Sequence, residues 1–118
     1  MSDNSIYHVC RADEWQAAKV KGCYQGSSQD QRDGFIHFSA KEHVRDSTAK
    51  HRAGQDDLIL LSVDANKLGE ALKWEPSRGG ILFPHLYSDL ALSAVFSAEL
   101  VSLGADGVHQ FPSGFDGT

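Results

Sequence analysis

The pattern of apolar and polar positions changes along the chain, and each change marks a predicted element. Residues 5–11, SIYHVCR, are β-branched and aromatic in composition, which predicts a strand. The next stretch, ADEWQAAKVKG, has acidic residues early, lysines late and a glycine at its end. This is the charge order that a helix dipole favours. We therefore expect a helix over residues 13–21, with Trp15 and Ala18 facing inward.

The middle of the chain predicts a loop, a strand and a second helix. Residues 22–33 are polar and rich in Gly and Ser, which indicates a long functional or flexible loop. Residues 34–39, GFIHFS, predict the second strand. Ser39 and Glu42 form an S-x-x-E capping box, so a helix is expected to follow directly and to run to about Arg52. Its apolar stripe is thin, which places this helix at the surface.

The second half of the chain is richer in strands. The continuous apolar run DLILLSVD, residues 57–64, predicts a central strand that is buried on both faces. Residues 70–76, EALKWEP, predict a strand that the terminal proline ends. Residues 81–95 are expected to be irregular around Pro84, with a short helical turn at the end. A last strand is expected from residue 96 onward.

These elements predict the fold class. Helices cluster in the first half and strands run through both halves, which indicates an α+β fold with two helices and a split, mostly antiparallel sheet. A chain of 118 residues suits one domain over residues 1–118. We expect its core over about residues 5–103 and a glycine-rich C-terminal tail over residues 104–118.

Composition and charge exclude several classes of function. Apolar residues make up 41% of the chain and the net charge is −5, with no run of Lys and Arg that would follow a phosphate backbone. Nucleic acid is therefore an unlikely partner. Without a long apolar run or a signal-like N-terminus, no membrane association is expected. The two cysteines, Cys10 and Cys23, do not form a CxxC pair, and we expect free thiols and a cytoplasmic location.

Two of the six histidines lie in predicted strands. Side chains alternate along a strand, so His8 shares a face with Ile6 and Cys10, while His37 shares one with Phe35 and Ser39. A buried imidazole needs a partner, because an unpaired buried polar group costs about 1–3 kcal/mol. Two interpretations remain open. The histidines are either independent core residues satisfied by backbone carbonyls, or they converge on one cleft if the strands are neighbours.

The segments FPHLY and KWEP supply further candidates. Pro84 stiffens the chain before His85 and Tyr87, so that a rigid loop could present both to a ligand or fill the edge of the core. Trp74 offers a stacking surface and Glu75 a carboxylate, although both also suit an edge strand. No HxH, HxxxH or HExxH spacing occurs, so we expect no metal site.

Five motifs in order, IYHV, DGFIHFS, LLSVD, KWEP and FPHLY, resemble a small bacterial family filed as domain of unknown function 952. The resemblance covers about residues 5–103. It implies an ADP-ribosyltransferase-like fold, in which a split antiparallel sheet forms a cleft that holds NAD in the active members. It further implies that His8 holds the nicotinamide-side ribose and that His37 positions the cofactor. The acid found in many transferases is not secure here, because neither Glu75, which precedes a proline, nor Glu99, in the last strand, sits in a recognisable acid motif. Glu75 is taken as its candidate.

The leading hypothesis is a cleft that binds NAD or an ADP-ribose-like nucleotide, a small-molecule partner, and that transfers ADP-ribose if the acid is present. Ser39 would help to hold ribose, Tyr87 or Trp74 would stack on a ring, and Arg11 or Arg78 would meet phosphate. The predicted catalytic residues are His8, His37 and Glu75, and the predicted cofactor-binding residues are His8, His37, Ser39, Trp74, His85 and Tyr87. Two alternatives stay open: a non-catalytic ligand-binding or protein-interaction domain on the same scaffold, and a histidine-based, metal-assisted hydrolase.

Overall fold

The computed structural model describes residues 4–112 and Phe115. In this part of the chain the strands are β1 (Ser5–Arg11), β2 (Cys23–Tyr24), β3 (Ile36–His37), β4 (Leu58–Asp64), β5 (Leu72–Pro76), β6 (Leu82–Leu86), β7 (Leu90–Ala91), β8 (Val95–Leu103) and β9 (His109–Gln110). The helices are α1 (Ala12–Lys21), α2 (Ser28–Asp33) and α3 (Lys41–His51). Short 3-10 turns follow β4 and β7. No helix in the described residues is long and apolar enough to span a membrane.

The strands form a mixed α/β fold of mostly antiparallel, curled sheets. One sheet has the order β1-β4-β8-β9, a second has the order β3-β6-β5, and β2 pairs with β7. Strand β4 lies between β1 and β8, and five of its seven residues are buried. The continuous apolar run therefore correctly predicts a central strand covered on both faces.

The two larger sheets meet at a bridge between β1 and the end of β3. Tyr7 and Ser39 exchange backbone hydrogen bonds of 2.9 and 2.8 Å. Strand β3 then continues beside β6, where His37 lies directly opposite His85. Strand β1 continues beside β4, where His8 lies opposite Leu61. The sheet is thus split at this bridge, and β1 and β3 diverge on one side of it.

Each face of β1 is covered by a different helix. Alternation turns Ile6 and Cys10 toward one apolar core, which also contains the buried Ala18 of α1 and receives Trp15. The predicted inward face of α1 is therefore confirmed. On the other face, Tyr7 and Val9 pack against a second core to which α3 contributes Val44.

The predicted loop over residues 22–33 is wrong, because it contains β2 and α2. The fold therefore has three helices in its described part rather than two. The capping box also lies elsewhere. Ser27 and Asp30 form one at the start of α2, whereas α3 begins after Ala40 without a side-chain cap. Ser39 cannot cap α3 because the bridge to Tyr7 holds its backbone, and its hydroxyl donates to Ser47 Oγ at 3.2 Å.

The expected irregularity at Pro84 is also wrong, since β6 runs through it. The N–H and C=O of a strand residue point to the same side, and the Pro84 carbonyl accepts from Phe38 N at 3.0 Å. The backbone N–H that proline lacks would therefore point toward β3. The ladder between β3 and β6 is only two residues long, which is why a proline can stand at this position of β6. Within the predicted C-terminal tail, β9 pairs with β8, while residues 113, 114 and 116–118 lie outside the described part.

Phe38 should carry much of the stability of the junction between the sheets. Its side chain is 2% exposed, and its ring centroid lies 5.5 Å from that of His8. We expect Phe38→Ala to lower the free energy of unfolding by about 3–5 kcal/mol, measured by urea denaturation. The matched control is Phe96→Ala, at a side chain that is 61% exposed, with an expected change within about 0.5 kcal/mol. Equal losses in the two variants would contradict this account of the junction.

Candidate functional site

A cavity of about 280 Å³ lies where β1 and β3 diverge. Both sheets, α2 and α3 contribute to its walls. The polar lining residues that matter for its chemistry are His8, Asp30, His37, Ser39, Arg52 and His85. The two strand histidines singled out by the sequence therefore line one cleft, and His85 lines it with them.

His8 forms hydrogen bonds with both ring nitrogens inside the protein. Its Nδ1 is 2.6 Å from the carbonyl oxygen of His37, and its Nε2 is 2.7 Å from the hydroxyl of Tyr24. A carbonyl only accepts, so Nδ1 carries the proton, and Tyr24 donates to Nε2 of the neutral ring. Burial lowers the pKa of His8, against the opposing effect of the Asp30 charge, and favours this neutral form.

His37 lies between two carboxylates. Its Nδ1 is 2.5 Å from Asp30 Oδ1, and its Nε2 is 3.2 Å from Asp33 Oδ2. An ionised carboxylate only accepts hydrogen bonds, so Nδ1 carries the proton that Asp30 accepts. About a third of the His37 side chain, 35%, is exposed. It is therefore the imidazole of the site that a ligand can reach.

Asp30 is the buried acid of the site. Its side chain is 4% exposed, and Oδ2 accepts from the backbone N–H of Ser27 at 2.8 Å while Oδ1 accepts from that of His37 at 3.2 Å. Burial alone would raise the pKa of this carboxyl. The hydrogen bond from the His37 ring, the nearby His8 and the two backbone donors outweigh burial and lower the pKa to about 2. Asp30 is therefore ionised at neutral pH.

A second group surrounds His85. Glu75 Oε1 lies 2.8 Å from His85 Nδ1 and accepts from the hydroxyl of Tyr87 at 2.7 Å. Both hydrogen bonds lower the pKa of Glu75, and the one from Tyr87 has the larger effect. The His85 ring stacks on Phe35 with centroids 4.2 Å apart, and Phe35 also contacts the rings of His37 and Tyr87. An aromatic cluster of Phe35, His37, His85 and Tyr87 therefore borders the cleft.

The structure brings most of the predicted residues together. His8, His37, Ser39 and His85 line the cleft, and Glu75 and Tyr87 join it through hydrogen bonds. Trp74 does not: alternation along β5 turns it to the face opposite Glu75, where it is 47% exposed. The two nitrogens of His8 are already bonded within the protein, so the ribose contact that the resemblance implied for His8 has no free ring nitrogen to make it.

Tyr24 and Asp30 are the functional residues that the sequence reasoning missed. Both lie in the segment interpreted as a loop. The S-x-x-D pattern of Ser27 and Asp30 is a local signal for the start of a helix, and it could have located α2. No local signal places Tyr24 beside His8, because the two residues meet through the tertiary fold alone.

Metal binding has no ready-made site in the residues that the structure describes. There, no group of three or more His, Cys, Asp and Glu side chains could hold a metal ion. The side chains around His37 instead bond to one another: Asp30 and Asp33 occupy its two ring nitrogens.

Comparison with known proteins places this geometry in a family context. The family described as Protein of unknown function (DUF952) matches residues 9–98. The crystal structure of protein CC0527 from Caulobacter crescentus is similar, with 47% identity, a TM-score of 0.90 and coverage of 95% of this chain and 98% of that chain. The solution NMR structure of CC0527 is also 47% identical, with a TM-score of 0.80 and coverage of 98% and 97%. A search of curated proteins gives no match.

Asp30 should make stability depend on pH in the acidic range. Its pKa is about 2 in the folded protein, against a reference value of 3.8, so folding favours the ionised form. The contribution is present above about pH 4 and is lost as the pH falls toward about 2, an effect of roughly 2 kcal/mol. We expect Asp30→Asn to remove this part of the pH dependence of urea unfolding. The exposed Asp46 of α3 supplies the control Asp46→Asn, which should keep it. If the free energy of unfolding of Asp30→Asn still fell with pH in this range as it does in the unmodified protein, the pH dependence would not come from Asp30.

Tyr24→Phe should leave a buried acceptor without a donor. The change keeps the ring and removes only the hydroxyl that donates to His8 Nε2. We expect a loss of about 1–3 kcal/mol in the free energy of unfolding, measured in denaturant. Tyr87→Phe removes a hydroxyl from an exposed side chain and should cost less than about 0.5 kcal/mol. If the two variants were equally stable, the buried hydrogen bond would not have the importance given to it.

Proposed function

Because the chain belongs to the DUF952 family of proteins of unknown function, we propose a function from the chemistry of its cleft: it binds a nucleotide of the NAD or ADP-ribose type. The observation that carries the proposal is the hydrogen-bonded pair of His37 and Asp30 at a cleft between two diverging strands. Pockets of this kind use a few placed polar groups to orient a ligand.

The cleft offers the groups that a ribose and a planar ring require. Ser39 supplies a hydroxyl on the wall of the cleft. His85 is bonded to Glu75 through Nδ1, which leaves Nε2 as the nitrogen that would contact a ligand. Ribose hydroxyls donate and accept, so they match such a mixed lining. The aromatic cluster with the exposed Tyr87 provides a flat surface beside it. The carboxylates near His37 favour a cationic ring such as nicotinamide.

In this proposal His8 is a positioning residue rather than a ligand contact. Its bond to the His37 carbonyl fixes the backbone from which the His37 ring projects, and Tyr24 fixes the His8 tautomer. His37 is then the imidazole that contacts the ligand: the ligand would take the place of the exposed Asp33 carboxylate at Nε2, while Nδ1 stays bonded to Asp30. Glu75 positions His85 in the same way.

Transfer of ADP-ribose is the second candidate, and Asp30 and Asp33 favour it. In that reaction the bond between nicotinamide and ribose C1 breaks, and its electron pair leaves with the nicotinamide. Positive charge develops on the sugar, where a fixed carboxylate stabilises it. An acceptor hydroxyl or water then forms the new bond to C1 and gives up its proton to solvent or to a carboxylate. Asp30, which is ionised and buried, is a candidate for this carboxylate in addition to Glu75.

Nucleotide binding should depend on His37. We expect NAD or ADP-ribose to bind to the unmodified protein and to bind about tenfold more weakly to His37→Gln, because glutamine lacks the second ring nitrogen by which Asp30 holds the imidazole in place. The measurement is isothermal titration calorimetry. His43→Gln is the matched control, since His43 lies outside the cleft lining on α3 and should leave the affinity unchanged. Absence of heat with both ligands would refute the proposed binding, and zinc found by elemental analysis would then favour the metal-assisted hydrolase.

Release of nicotinamide from NAD separates a transferase from a binder. A transferase should release nicotinamide faster than buffer alone, and Asp30→Asn and Glu75→Gln identify which acid contributes. Binding without release above background, equal in all variants, would leave the cleft as a non-catalytic ligand site.

A further inference from the structure

A second cavity of about 520 Å³ adjoins the cleft, and we propose that it holds the phosphate groups of a diphosphate-linked nucleotide. The inference deepens the proposed function and rests on it for the identity of the nucleotide. Ser27, Gln29, His51 and Arg52 line both cavities. The two cavities therefore share a wall, and one ligand of sufficient length can enter both.

Arg52 is the anchor of this phosphate subsite. It is half-buried, and its Nη2 donates to the Val9 carbonyl at 3.2 Å while Nη1 donates to Gln55 Oε1 at 3.3 Å. Among residues 4–112 and Phe115, these are the hydrogen-bond partners of its guanidinium group, and both are uncharged. A guanidinium held by neutral acceptors keeps its full positive charge for an anion. The bond to Val9 also fixes its position at the divergence of β1 and β3.

Two exposed arginines, Arg11 and Arg32, add positive charge around the same cavity. Arg11 bonds to Asp13 at 2.7 Å, whereas Arg32 projects from the last turn of α2. The sequence prediction of a phosphate contact at Arg11 is thus kept as part of this proposal, while the side chain of Arg78 lies outside the described part.

The carboxylates of this cavity are directed toward backbone donors. Glu14 Oε1 accepts from the N–H of Arg11 at 2.9 Å. Asp56 Oδ1 accepts from the N–H of Leu103 at 2.9 Å and from that of Asp57 at 2.8 Å. Arg11 is paired with Asp13, so the remaining charges of the lining, Arg32 and Arg52 against Glu14 and Asp56, balance in number. Because both acids are turned to backbone N–H groups, the guanidinium groups of Arg32 and Arg52 are the charges left to bind an anion.

A diphosphate fits this arrangement better than a single carboxylate. Guanidinium groups bind phosphate oxygens in pairs, and the arginines surround a cavity larger than the histidine cleft. The sugar would then lie beside His37 and the diphosphate beside Arg52, with the shared wall of Ser27 and Gln29 between them.

Charge removal at Arg32 tests the subsite. Calorimetry is performed with inorganic pyrophosphate, ADP-ribose and adenosine at physiological ionic strength, where long-range attraction is screened. Arg32→Gln should weaken pyrophosphate and ADP-ribose about tenfold, corresponding to one lost charged contact, and leave any adenosine binding unchanged. Lys19→Gln removes the same charge from an exposed position of α1 outside both cavities and should change nothing. Arg52→Lys keeps the charge but loses the paired donors, and it should weaken the same two ligands while its unfolding temperature confirms folding.

The outcomes separate the subsite from the proposed function. Pyrophosphate binding that Arg32→Gln weakens and Lys19→Gln does not supports the subsite, even if ADP-ribose fails to bind and the nucleotide proposal is lost. ADP-ribose binding that is the same in Arg32→Gln and Lys19→Gln overturns the subsite and leaves the nucleotide proposal standing. Equal weakening by the two variants also overturns it, because general attraction by surface charge would then explain the binding. Absence of binding by both phosphate ligands overturns both.

Discussion

The hydrogen bond from His8 to the carbonyl of His37 is the interaction on which the site depends. Strand β1 and the segment that follows β3 pair at Tyr7 and Ser39, the two strands diverge from this bridge, and divergence deprives backbone groups of their ladder partners. Buried carbonyls need donors, so a split in a sheet persists only where side chains replace the missing strand. His8 replaces it for His37, and Arg52 does so for Val9. The cleft is therefore open because two side chains, the neutral His8 ring and the Arg52 guanidinium, satisfy its edges.

From this junction a continuous hydrogen-bonded network crosses the molecule. Tyr24 donates to His8, His8 donates to the His37 backbone, and the His37 ring donates to Asp30, which also accepts from Ser27. The buried end of the network is neutral and the end at the cleft is charged, because burial lowers the pKa of His8 while hydrogen bonds lower that of Asp30. The network thus separates a structural imidazole from one that a ligand can reach.

The sequence predicts the strands and helices around this site better than the contacts between its side chains. Long elements with strong local signals are confirmed close to their expected bounds: β4 by its continuous apolar run and α1 by its charge order and terminal glycine. Alternation correctly places a histidine on each of two strands. Helix α2 is too short to show a helical period, so the segment that supplies Asp30 resembles a loop. The face of the sheet to which Trp74 turns depends on the register of β5 against β6, which local sequence does not set. Whether a ring nitrogen of His8 is free depends on Tyr24, a contact between distant residues.

His8 bonds to the backbone of residue 37 and not to its ring. The bond that holds the junction of the sheets therefore does not depend on which side chain stands at position 37. Any side chain at position 37 still presents the carbonyl that His8 requires. Relatives could therefore exchange the imidazole for another functional group, and so change the chemistry of the cleft, without rebuilding the junction of the sheets. His8 and Tyr24 have no such freedom, since each satisfies the other in the interior. Positions 8 and 24 should therefore vary together, whereas the His8 bond places no such restriction on the side chain at position 37.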